Sequence, residues 1–140
     1  MNDRIVVDTN LIVRYLVQDN EKQARAAGRI FGACDRGELA IVVLPAVLAE
    51  CVFVLESFYG HARLAIASAL TTLISSPGVE IAPLATHLDA FLDALDRYRR
   101  TNVHFVDCLI AATASAADIP VAFFDREFRK FADVRVFGAL

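Results

Sequence analysis

Arg4-Ile5-Val6-Val7-Asp8-Thr9-Asn10-Leu11-Ile12-Val13, residues 4–13, carries the decision about the fold. Arg4 to Asp8 is a short β-branched run. It is ended by Thr9-Asn10, residues suited to a turn or a helix cap, and Leu11 to Val17 then resumes with helix-compatible apolar spacing. A strand that feeds straight into a helix, and that ends on an acid, is the start of an alternating α/β chain.

Working outward, the same alternation continues. Asp19-Asn20 caps a second helix through about Arg36, with Ala24, Ala27, Ile30, Phe31 and Cys34 on one face and Gly37 as its stop. Leu39 to Leu44 reads as a buried strand. Pro45 opens the next helix, which carries Val47, Leu48, Cys51, Val54, Leu55 and Phe58 up to Gly60, and His61 to Ser75 is helical as well. Val79 to Ala82 is a weak strand, Thr86-His87-Leu88-Asp89 resembles a capping box for a helix through about Arg100, and Thr101-Asn102 breaks it. Val106 to Ala117, apolar on every side, is a buried helix, Ile119 to Phe124 a strand and Val134 to Phe137 a last strand. This order predicts a three-layer α/β/α sandwich: a parallel sheet with helices on both faces, joined by right-handed crossovers, in one domain spanning residues 1–140.

The hydrophobic fraction is 56% and the mean hydropathy +0.47, which suits a sheet covered on both sides or a subunit interface. A homodimer is expected on that basis, with Pro45 to Ser75 as the candidate interface. The longest apolar run, Leu39 to Leu55, is interrupted by Pro45 and Glu50, so no membrane span is expected. Met1-Asn2-Asp3-Arg4 has no basic n-region or cleavable apolar stretch, and the cytoplasm is the expected location. Cys34, Cys51 and Cys108 are widely spaced among apolar neighbours and read as core residues rather than as a zinc or disulfide framework.

Four acids stand alone in apolar surroundings: Asp8 after Ile5-Val6-Val7, Glu50 within Pro45 to Leu55, Asp107 within Val103 to Ala112 and Asp125 after Val121 to Phe124. A buried charge requires a cation, a proton or a metal ion. Four such acids at one place point to a hard divalent cation, Mg²⁺ or Mn²⁺, and to hydrolysis of phosphate esters by metal-activated water. In parallel sheets sites form outside the carboxyl ends of the strands, where Asp8 and Asp125 fall, and the helix positions of Glu50 and Asp107 allow both to reach the same edge. Each acid also has a plainer reading: Asp8 as a helix cap, Glu50 as the partner of an arginine such as Arg14, Asp107 as a charge at a helix N-terminus, and Asp125 as a turn residue.

The net charge of −3 argues against a polyanionic partner, yet seven of the 14 basic residues lie after position 96: Arg97, Arg99, Arg100, Arg126, Arg129, Lys130 and Arg135. Of these, Arg97, Arg100, Arg126, Arg129 and Lys130, together with His104, are candidate contacts for a nucleic-acid backbone. Arg97, Arg99 and Arg100 also fit a solvated helix end. His104 fits a structural or rim role, since no second histidine pairs with it for metal-free chemistry.

The pieces Val6-Val7-Asp8-Thr9-Asn10, Leu48-Ala49-Glu50, Phe105-Val106-Asp107-Cys108-Leu109-Ile110-Ala111-Ala112 and Phe124-Asp125-Arg126-Glu127-Phe128 resemble, in order, spacing and total length, the PIN-domain ribonucleases, and among them the toxins of VapBC toxin-antitoxin pairs. The resemblance covers nearly the whole chain. It implies a roughly five-stranded parallel sheet, Asp8, Glu50, Asp107 and Asp125 as the catalytic, metal-binding quartet, and Thr9 and Asn10 shaping the first turn. It further implies an RNA substrate, dimerisation and a VapB-like antitoxin that occupies the active-site groove. One departure is visible: Phe123 stands where the family often carries Thr or Ser. Rival readings are a catalytically inactive PIN-fold scaffold, against which the intact quartet argues, and a Mg-binding phospho-receiver module. The receiver needs an acidic pair at the first strand and a lysine closing a late one, and neither Lys22 nor Lys130 closes a strand.

Overall fold

The structure, a computed structural model, describes residues 3–82, 87–124 and 126–138, with His87 by its backbone alone. The elements run β1 (Asp3–Val7), α1 (Thr9–Val17), α2 (Glu21–Asp35), β2 (Leu39–Val43), α3 (Pro45–Ser57), α4 (Arg63–Ile74), β3 (Val79–Ile81), α5 (His87–Arg100), α6 (Phe105–Ala117) and β4 (Val121–Ala122), followed by a 3₁₀ turn, Arg126–Lys130. Among the described residues the strands form one parallel sheet in the order β3-β2-β1-β4.

β1 lies at the centre, pairing Ile5 with Ile41 and Val6 with Val42 on one side and Val6 with Val121 on the other. Its Ile5, Val6 and Val7 are all fully buried, which is why the sequence shows no alternation there: both faces are covered. β3, the outer strand, is largely exposed at Glu80 and Ile81.

The strand order explains where the helices lie. The chain winds outward from β1 through β2 to β3, then returns across β1 to place β4 on its far side. With right-handed crossovers, this reversal puts the helices of the outward path on one face and those of the return on the other. The packing agrees: α1 packs on α2 and α3, and α3 on α4, while α5 packs on α6.

Local chemistry sets the boundaries. Asn20 caps α2 by accepting from the Gln23 N–H at 3.1 Å, and Gly37, at φ +74°, turns the chain out of it into β2. Pro45 opens α3, where its missing N–H costs no helical bond. A Cβ on Gly78 would collide with the Cys34 thiol, so only glycine lets the chain pass α2 on its way into β3.

The expected last strand is reduced to one parallel bridge between Val121 and Val136, so among the described residues the sheet has four strands rather than about five. Its backbone joins β4 through the bond from Val121 N–H to Arg135 O and that from Phe137 N–H to Val121 O. Ile119 to Phe124 likewise shortens to Val121–Ala122. The segment around Val136 lies at the edge of the sheet, where one neighbour instead of two holds the ladder. The expected capping residue Thr86 lies outside the described residues. No described helix is long and apolar enough to cross a membrane.

Candidate active site

The reversal in strand order creates a crevice between β1 and β4 at the carboxyl edge of the sheet, the place where open α/β folds bind ligands. Asp8 stands at its centre, the first residue beyond β1. It is 2% exposed, and its Oδ1 accepts from the Leu11 N–H at 2.9 Å, capping α1. Capping satisfies one of the open donors at the helix start and turns the carboxylate toward the edge. Thr9, the first residue of α1, is also buried, and among the described residues its Oγ1 has no hydrogen-bond partner. Asn10 is exposed.

Glu50 is the sixth residue of α3, which follows β2 directly and packs on α1, so it comes to the same edge from the neighbouring strand. It is half-buried. Arg14, the counter-ion in the plainer reading of Glu50, is turned elsewhere: the guanidinium bonds Asp19 at 2.9 Å, Gln23 at 2.9 Å and the Tyr59 hydroxyl at 3.2 Å. The Cys51 thiol is pushed up to about 12 by burial first and then by the charges of Glu50 and Asp8. Two acids from different elements therefore act on one buried point.

Asp107 is the third residue of α6. This helix turns back into β4 through Asp118, Ile119 and Pro120, so it runs opposite to the strands and starts at their carboxyl edge. His104 occupies the cap position without a side-chain cap bond, and Asp107 is the acid of the first turn, where the partial positive charge of the helix end favours it. The Cys108 thiol beside it is raised by burial, then by Asp107 and, more weakly, by Glu127, while the Thr101 hydrogen bond and Arg97 pull it down.

Glu127, half-buried on the 3₁₀ turn, thus shares the surroundings of Asp107. Glu127 is not among the acids singled out from the sequence; its spacing two residues after Asp125 was the available signal. Asp125 itself lies outside the described residues. Its neighbours are firmly set: Phe123 is buried with its ring 4.8 Å from that of Phe128, itself 1% exposed. The departure at position 123 thereby has a physical account, since the ring anchors the turn after β4 in the core.

The basic candidates divide. Arg97 is only 6% exposed; its guanidinium bonds Asp93 and Asp133 and sits 5.0 Å from the centre of the Phe131 ring. Those contacts tie α5 to the chain after β4, so this arginine faces inward and is not presented to a ligand. Arg100 is exposed and pairs with Asp96 at 2.9 Å. His104, Arg126, Arg129 and Lys130 are exposed. The Lys130 ammonium donates to Asn102 Oδ1, which places the 3₁₀ turn against the loop leading into α6. Basic groups from three segments therefore border the edge on which the acids stand.

The donors fit a hard cation. They are carboxylates, the adjacent thiols are held neutral by burial, and a buried hydroxyl without a partner lies next to Asp8. Among the described residues, no three His, Cys, Asp or Glu side chains are gathered closely enough to hold an ion.

With fold and edge in place, comparison with known proteins gives the class. The model of the PIN domain matches residues 5–134, and the chain belongs to that family. Among solved structures, VapC20 of Mycobacterium tuberculosis, described as a sarcin-ricin loop cleaving toxin, superimposes with a TM-score of 0.72 at 22% identity, covering 94% of this chain and 98% of that one. VapBC2 of Rickettsia felis, solved on a DNA fragment from its promoter, gives 0.69 at 14% identity over 96% and 97%. FitAcB of Neisseria gonorrhoeae gives 0.59 at 19% identity over 96% and 97%. At these identities the likeness is one of fold. No curated protein matches the sequence.

Proposed function

We propose that this chain is a Mg²⁺- or Mn²⁺-dependent endoribonuclease and the toxin of a type II toxin-antitoxin pair. The observation that carries this reading is the placement of Asp8, Glu50 and Asp107 at the carboxyl edge of the sheet, beside the reversal of strand order, in a chain of the PIN family. Asp8, Glu50 and Asp107, with Asp125, would hold the cation. Bound there, it would supply an activated water and neutralise the charge of the phosphodiester.

The chain's own groups do the rest. Asp8 is fixed in place through Leu11 N–H, so its carboxylate is oriented before any ligand arrives. Thr9 Oγ1 offers a hydroxyl for a ligand oxygen. Arg126, Arg129, Lys130, Arg100 and His104 draw the RNA backbone to the rim through phosphate contacts, which position without reading sequence. A VapB-like antitoxin is the proposed partner, supported by the toxin-antitoxin complexes among the structures that share the fold.

The test is a digest of structured RNA with end-group analysis. Cleavage that stops with EDTA, returns with Mg²⁺ or Mn²⁺ and leaves 5′-phosphate and 3′-hydroxyl ends is the expected result. EDTA-resistant cleavage with 2′,3′-cyclic phosphate ends would mean attack by the ribose hydroxyl, and would sink the acidic site.

A further inference from the structure

At the junction of α5 and α6 an exposed aromatic ring rests on a half-buried one. Tyr98 is 52% exposed, and its ring meets that of Phe105 edge to face, with 6.0 Å between centres and 85° between planes. Phe105 is the anchored member of the pair, packed against the core. An edge-to-face contact covers at most one face of either ring, so Tyr98 keeps a face open to solvent. The loop beneath it is closed by its own bonds. The Thr101 hydroxyl donates to the Arg97 carbonyl at 2.8 Å and accepts from the Val103 N–H at 3.2 Å. Arg97, next to Tyr98 in the chain, is clamped by Asp93 and Asp133, and Lys130 donates to Asn102. The open ring is therefore carried on a fixed support, as a binding surface requires.

Its place in the fold suggests what it meets. Phe105 opens α6, and Asp107 stands two residues further on, in the same first turn. Arg99, His104, Arg129 and Lys130 are exposed around the junction. A flat apolar face inside a positive rim is complementary to a nucleotide, which joins an anionic phosphate to a base with a π-face. Phe53 and Phe58, exposed at 67% and 79%, lack this setting: they lie in the far half of α3 and just beyond its end, past Glu50 and away from the carboxyl edge.

We propose that Tyr98, backed by Phe105, is the platform on which an unpaired RNA base stacks beside the phosphate drawn to the acids, a role that rests on the nuclease reading. A base inside a duplex is covered by its neighbours above and below, so the platform receives a strand only where it is unpaired and splayed. Stacking uses the ring and not the phenol hydroxyl, so phenylalanine or tryptophan at position 98 serves as well.

The test is RNA binding by the full chain carrying Asp8→Asn, which leaves the RNA intact. The probe is a hairpin RNA with a randomised loop that contains 2-aminopurine, whose fluorescence falls when it stacks. Binding should quench it. Adding Tyr98→Ala should abolish the quench and weaken binding at least about fivefold, the low end of what one stacked base is worth by alanine substitution. Tyr98→Phe and Tyr98→Trp should retain both, and Phe58→Ala should behave as the parent. A fully paired duplex should bind alike to all of these proteins without further quenching. Tyr98 is exposed, and circular dichroism of each variant confirms that the fold is kept. Quench and affinity unchanged in Tyr98→Ala, an equal loss in Phe58→Ala, or no binding of the hairpin by the parent would each overturn the platform, and the first would leave the ring to a protein partner. Failure of the nuclease reading looks different: the wild type would cut no RNA while the quench that depends on Tyr98 persists, and the platform would then stand without the reaction.

Discussion

The Leu11 N–H donates to Oδ1 of Asp8 across 2.9 Å, so the acid at the centre of the candidate site is also the cap of the first helix. The plain reading of Asp8 and the functional one are compatible in one side chain, and substitutions separate them. Asp8→Asn keeps a good cap and loses the charge, so cleavage should vanish while the unfolding midpoint holds or rises. Asp8→Ala should lose cleavage equally and cost about 1 kcal/mol more in urea unfolding. If Asp8→Asn unfolds as readily as Asp8→Ala, the charge itself is structural.

Thr9→Val tests the orphan hydroxyl. Replacing a buried, unpaired hydroxyl by a methyl group of the same shape should leave stability unchanged or raise it by up to about 1 kcal/mol. Cleavage should fall about tenfold if that hydroxyl meets a ligand, roughly one hydrogen bond in the transition state. Unchanged activity would leave Thr9 without a part in the reaction.

Cation binding should be visible without RNA. A ligand that binds only the folded chain stabilises it, by about 1.4 kcal/mol at ten times its Kd, or about 3–6 °C in Tm for a chain of this size. Mg²⁺ or Mn²⁺ should therefore raise the Tm of the wild type and fail to raise that of Asp107→Asn or Glu50→Gln. Equal shifts in all three would place the ion elsewhere.

Arg97 should behave as part of the framework. Arg97→Met strands Asp93 and Asp133, whose side chains are 41% and 53% exposed and can rehydrate, so the expected loss is about 2–3 kcal/mol rather than the 3–5 of a fully buried pair. In RNA cleavage, Arg97→Met should leave KM unchanged where the protein is folded, while Arg126→Ala with Arg129→Ala should raise it. The reverse pattern would return Arg97 to the RNA surface.

The same cluster sets an acid limit. The Arg97 guanidinium bonded to Asp133 holds that carboxyl at about 2, below the ordinary value of 3.8, with the Ser115 hydroxyl adding to the effect. A carboxyl depressed by folding contributes stability that is present above its unfolded pKa and is lost as the pH falls through that value toward about 2. Urea midpoints should fall between pH 4 and 2 in the wild type and fall less in Asp133→Asn. Parallel curves would show that other carboxylates govern acid unfolding.

How much of this molecule was legible in its sequence follows from the range of the interactions involved. The helices and central strands were readable because they are set by neighbours within a few residues: Asn20 three residues before Gln23, Pro45 at the start of α3, Gly37 at the end of α2, and the unbroken Ile5-Val6-Val7 of a strand covered on both sides. The isolation of Asp8, Glu50 and Asp107 in apolar runs was readable for the same reason, since the burial of Asp8 and the half-burial of Glu50 and Asp107 show in their flanks. What depended on residues far apart in the chain was not. A parallel edge strand pairs with a partner many residues away, and the last one came out as a single bridge at Val136. Arg14 found the Tyr59 hydroxyl 45 residues on, and Arg97 found Asp133. In α5 the 3.6-residue period was plain, but which side of it meets the core was decided by the Arg97 cluster and the packing on α6. Local propensity and periodicity set the elements; the direction in which each charged or apolar side points is a tertiary choice, because burial is shared between elements.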